Sequence, residues 1–90
     1  MPKRNFALTD HEIQKRAAEA MQIIYEHEGT YQAIAERVGK ELDMEPFSRE
    51  AVRQWMLGKI APMRAVQIAR TYRHLGIKFS DLRPDFAGVE

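Results

Sequence analysis

Four side chains in one short stretch, Arg49, Glu50, Arg53 and Gln54, have the chemistry to read the edges of base pairs. Arginine donates two parallel hydrogen bonds to guanine, a glutamine carboxamide both donates to and accepts from adenine, and glutamate accepts from the amino group of cytosine. In a helix, successive residues turn by about 100°. With Val52 taken as the inward direction, Glu50, Arg53, Gln54 and Leu57 fall on the far side and Arg49 sits nearer the edge of the first turn. Trp55 shares the face of Val52, which marks it as a core anchor and not a stacking platform. Two readings of Glu50 stand side by side, an acceptor for a base or an i to i+3 ion-pair partner of Arg53.

Such a surface works only if other elements hold it, and the chain carries the signals for them. Spacings of three and four recur throughout and strand patterns are lacking, so the expected fold is all-α, a compact domain of four to five helices. Thr9 with Glu12 forms a capping box, Leu8 and Ile13 have staple spacing, and Ile13, Ala17, Ala20, Met21 and Ile24 make one apolar stripe ending before Gly29. Thr30 caps a second helix whose inner face is Ile34, Ala35, Val38 and Leu42. Ser48 caps a third, SREAVRQWML, with Val52, Trp55 and Met56 inward and Gly58 as its stop. Pro62 suits the first position of a fourth helix, whose stripe of Ala65, Ile68, Ala69, Tyr72 and Leu75 runs to Gly76. Ser80 is the expected cap of a last turn before Pro84, and the rest reads as a tail. The organisation expected is an N-terminal arm over 1–8, one helical domain over 9–84 and a C-terminal tail over 85–90.

Composition narrows the function classes. Ninety residues, 44% apolar and 30% charged, make one core. The absence of cysteine excludes a disulfide framework, a thiolate zinc site and a cysteine nucleophile, and fits a cytoplasmic location. No apolar run approaches the roughly 18 residues of a membrane span, and residues 1–10 lack the apolar block of a signal peptide. His11, His27 and His74 have no paired metal spacing, and neither a serine–histidine–acid arrangement nor a glycine-rich phosphate loop is visible, so no metal, cofactor or enzymatic activity is expected. The net charge of +1 argues at first against a nucleic-acid partner. Divided at Pro46, however, the first 45 residues hold six basic and nine acidic side chains and the remainder eight basic and four acidic. Within 49–73, Arg49, Arg53, Lys59, Arg64, Arg70 and Arg73 are opposed by Glu50 alone.

A family likeness sharpens this. Ala35 and Gly39 are small residues on the second helix, Phe47 is an apolar turn residue, Ser48 opens the third helix, and Val52 and Trp55 are its inward anchors, followed after a short spacer by Gly58. In this order and spacing, residues 31–55 resemble the helix-turn-helix of lambda-repressor-like, Cro/YdaS-type DNA-binding proteins. Pro62, the Ile68 and Ala69 stripe and DLRPDF (81–86) extend the resemblance over roughly 28–86. One departure is KELDMEP (40–46), inserted between Gly39 and Phe47. It implies a second helix running to about Leu42 or Asp43, then a longer loop that brings Glu41, Asp43 and Glu45 near the basic helix.

What the resemblance implies is base contacts from Arg49, Glu50, Arg53 and Gln54, and phosphate contacts from Tyr31, Gln32 and Lys59, with Ser48 as cap and phosphate neighbour. Arg64 is a further phosphate candidate, and Lys3 and Arg4 a basic arm. Arg70 and Arg73 read more simply as solvated helix residues. The function implied is a sequence-specific transcriptional regulator, a repressor of phage or prophage type binding double-stranded DNA as a homodimer. Met63, Val66, Ile77, Phe79, Leu82 and Phe86 form either a dimer or partner surface or a core completed by the C-terminal turn. The competing function is an antitoxin-type module that neutralises a toxin through that surface and regulates its own operon.

Overall fold

Thr9, Thr30 and Ser48 stand at extended backbone angles, and each side-chain oxygen accepts the backbone N–H three residues on: Glu12 at 3.2 Å, Ala33 at 3.0 Å and Ala51 at 3.1 Å. Each satisfies a donor that the first helical turn leaves unpaired, so each starts a helix. The computed structural model describes residues 8–86, and every regular element among them is helical. In order these are α1 (Asp10–Glu28), α2 (Tyr31–Glu41), α3 (Arg49–Met56), α4 (Pro62–Thr71) and α5 (Phe79–Leu82), with single 3-10 turns at Arg73–Leu75 and Pro84–Phe86. The all-α expectation therefore holds. Lys3 and Arg4 lie outside the described residues.

α1 is the backing element, packed against α2, α3 and α5, while α4 closes on α2 and α5. Their inner faces meet in one core that includes Met21, Ile24, Ile34, Val38, Val52, Ile68, Tyr72 and Leu82. A Cα radius of gyration of 12.4 Å matches the roughly 12 Å of a folded chain this long.

The insertion at 40–46 does not splay α2 from α3. Asp43 takes a left-handed φ of 54°, which turns the chain back so that the Met44 N–H donates to Gly39 O (2.8 Å) and the Phe47 N–H to Ala35 O (3.3 Å). Gly39 lets the returning strand of loop lie directly on α2, because a Cβ there would come within 2.7 Å of Glu45 O. The longer loop thus delivers Phe47 and Ser48 back to α2.

The C-terminal third departs from expectation in two places. α4 ends at Thr71, not near Gly76: the Thr71 hydroxyl donates to Gln67 O (2.8 Å), competing for a helix carbonyl, and the chain tightens into the turn Arg73–Leu75. Ser80 is not the last cap; α5 begins at Phe79, and Asp81 reaches back to accept the Lys78 N–H at 2.8 Å. Pro84 and Asp85, at the expected junction of domain and tail, are both buried. Arg83 explains this, donating to both carboxylate oxygens of Asp85 (2.9 and 2.6 Å) and to Ile60 O (2.9 Å).

Candidate nucleic-acid interface

α3 divides cleanly into an inner and an outer face. Val52 and Trp55 are buried in the core, while Arg49, Glu50 and Arg53 are exposed and Gln54 is half-buried. Amphipathicity fixes the rotation of the helix about its own axis, and capping fixes where it starts. Its end is fixed as well: the Gly58 N–H donates to Trp55 O (2.8 Å) and the Lys59 N–H to Gln54 O (3.0 Å), the paired bonds of a Schellman cap. That cap needs the left-handed φ of 83° at Gly58 and leaves Lys59 exposed at the end of the outer face.

The start of α3 is clamped from α4. The Phe47 ring meets Trp55 edge-on with centroids 5.2 Å apart, and the Arg64 guanidinium lies 4.4 Å from the Phe47 centroid, in cation–π range. Arg64 Nη1 also donates to Gln67 Oε1 at 2.6 Å. Read as a phosphate ligand in the sequence, Arg64 is half-buried with its guanidinium already on a ring and an amide, so its placement suits a brace for the turn.

The outer face carries a local network. Glu50 Oε1 accepts from Gln54 Nε2 at 2.8 Å and from Arg53 Nη1 at 3.3 Å. The ion pair with Arg53 follows from the i to i+3 spacing, and the shorter bond to Gln54 from the i to i+4 spacing. Beside α3, an open cleft lined by Thr30, Tyr31, Gln32, Phe47 and Arg49, among others, brings the phosphate candidates of α2 next to the first turn of α3. Tyr31 stacks edge-on against Tyr25 at 5.5 Å, and Gln32 Nε2 donates to Glu36 Oε1 at 2.9 Å. Ser48 uses its hydroxyl as the cap acceptor and remains exposed.

The candidate partner surface does not survive intact. Ile77 (5% exposed) and Leu82 (0%) belong to the core, because α5 folds against α1 and α4. Phe79 and Phe86 are half-buried against each other at 6.0 Å, and Arg83 covers Phe86. Met63 is 70% exposed and Val66 half-buried.

Sequence reasoning missed the Arg83–Asp85 pair, whose only trace was an arginine and an aspartate flanking Pro84. It also missed a node between α1, α2 and α4. Arg37 Nε pairs with the largely buried Glu28 carboxylate at 2.6 Å, near the fully buried Tyr72, whose hydroxyl has no hydrogen-bond partner among the described residues. Burial first, and then the Glu28 carboxylate, push the Tyr72 phenol above its ordinary value of 10.0, with the Arg37 guanidinium opposing. Among the described residues no cluster of three or more metal-ligating side chains occurs, and no helix is long and apolar enough to cross a membrane. No family model, curated protein or solved structure matches the chain.

Proposed function

We propose that this chain is a sequence-specific double-stranded DNA-binding transcriptional regulator of the Cro repressor type, acting as a homodimer on a two-fold operator. The observation that carries the reading is the build of α3. It is a helix of eight residues, capped at both ends, anchored from behind by Val52 and Trp55, and presenting Arg49, Glu50, Arg53 and Gln54 outward. An α-helix with its side chains is about 10–12 Å across, which suits a major groove about 12 Å wide. Tyr31, Gln32 and Lys59 flank it, where phosphate contacts would fix the orientation of the helix on the duplex. One helix reads few base pairs, so useful specificity asks for two copies about 34 Å apart.

The competing reading, an antitoxin-type module for a partner protein, drew on the apolar C-terminal face. With Ile77 and Leu82 in the core, Met63 is the only largely exposed member of that set, so the reading has less to stand on. Selection from random duplexes at moderate salt tests the proposal. Two-fold related half-sites are expected, with affinity falling steeply as salt rises. Enrichment of nothing refutes it.

A further inference from the structure

The outer face of α3 is not four independent side chains, because one carboxylate oxygen ties three of them together. We propose that Glu50 is a positioning residue: it holds the carboxamide of Gln54 so that Gln54 reads the major-groove edge of an adenine, and Glu50 itself reads no base. The inference rests on the DNA-binding reading above and assigns a division of labour within it.

An ionised carboxylate only accepts, so the group it meets at 2.8 Å must be the amide nitrogen of Gln54, and the two ends of that amide are not interchangeable. Nε2 carries two hydrogens. Glu50 takes one, leaving the second hydrogen and the whole of Oε1 for a ligand. One donor beside one acceptor is the pair that adenine demands, with its N7 accepting and its N6 amino group donating. Guanine offers two acceptors on that edge and would leave Oε1 facing an oxygen.

Gln54 is already half-buried and its backbone carbonyl is held by the Leu57 and Lys59 N–H groups, so the side chain starts from a fixed base. A side chain ordered before binding gives up less freedom on contact. Glu50, by contrast, has Oε1 engaged twice, by Gln54 and by Arg53 at 3.3 Å. An acceptor that already holds the Gln54 amide at 2.8 Å, with Arg53 only at the longer 3.3 Å, is better placed to orient Gln54 than to seek the amino group of a cytosine. Arg53 contributes only one of its donors to this contact, and the rest of its fork stays available to guanine or phosphate.

The test begins with wild-type selection of a half-site, then repeats it with Gln54→Ala, Glu50→Ala and Glu50→Gln in the full chain. Gln54→Ala is expected to abolish the preference at one A·T pair. Glu50→Ala should relax that same pair and no other, whereas Glu50→Gln, whose amide oxygen still accepts from Nε2, should keep it. With 7-deazaadenine at that position, which lacks the N7 acceptor, wild-type affinity should drop by roughly tenfold or more, and that of Gln54→Ala hardly at all. Thermal unfolding of each variant separates these effects from lost folding, since Glu50 is exposed. Relaxation of a different pair in Glu50→Ala, in particular loss of a cytosine, would show that Glu50 reads a base and overturn the assignment, as would unchanged preferences. Failure of the wild type to select any sequence overturns the DNA-binding reading itself, a distinct result.

Discussion

Replacing Gly58 by alanine tests how α3 is seated. The residue stands at φ 83°, where an L side chain costs about 1–2 kcal/mol. Its Cβ would also fall 2.7 Å from the Cα and carbonyl carbon of Gln14 on α1, and closer still to the Gln14 carbonyl oxygen. These are backbone atoms of a nineteen-residue helix, so no side chain can swing aside. The end of α3 must back away from α1, and forcing extra volume into packed structure costs about 1–3 kcal/mol more. Gly76 supplies the control, with φ 80° and nothing within 4 Å of a Cβ, so that Gly76→Ala carries the conformational cost alone.

The predicted difference between the two variants is therefore about 1–3 kcal/mol. In urea unfolding that is a midpoint gap of about 1 M, for a slope of about 1–3 kcal/mol/M. The Trp55 carbonyl accepts the Gly58 N–H, so Trp55 fluorescence reports the same end of α3 that far-ultraviolet circular dichroism averages over. Against a total stability of about 5–10 kcal/mol for a domain this size, Gly58→Ala should be conspicuously fragile. Equal midpoints for the two variants would refute the close approach of α3 to α1.

Other perturbations probe further contacts. Tyr72→Phe removes a buried hydroxyl that has no hydrogen-bond partner among the described residues and should stabilise the protein by about 1 kcal/mol in urea unfolding. The same change should flatten the alkaline limb of stability: with the folded phenol raised, the unfolded state loses its proton first as pH climbs past 10.0, so wild-type stability falls from there upward. Arg83→Met leaves the fully buried Asp85 carboxylate without its guanidinium and should cost about 3–5 kcal/mol, much of which Arg83→Met with Asp85→Leu should restore in thermal or urea unfolding. Arg64→Met should weaken operator binding while leaving the slope of log affinity against log salt unchanged, whereas Lys59→Ala should reduce that slope by about one; a reduced slope for Arg64→Met would return Arg64 to phosphate.

The sequence by itself determined what is local. Thr9, Thr30 and Ser48 start helices because a side-chain oxygen three residues from an N–H needs no other part of the chain, and Pro62 and Gly58 mark a start and a stop by their own backbone preferences. Val52 and Trp55 point inward for the same kind of reason, since helical periodicity alone sets them opposite Glu50 and Arg53. The outer face of α3 was legible residue by residue.

Only the tertiary structure decided which of those residues are free. Arg64 carries the same charge as Lys59, yet it lies on Phe47 because α4 packs beside the turn. Ile77 and Leu82 were as apolar as Met63 and entered the core because α5 folds onto α1, a docking no periodicity records. Arg83 finds Ile60 across 23 residues of sequence, and Gly58 finds Gln14 across more. Such contacts depend on where separate helices come to rest, which is set by the summed burial of all their faces and not by any one segment.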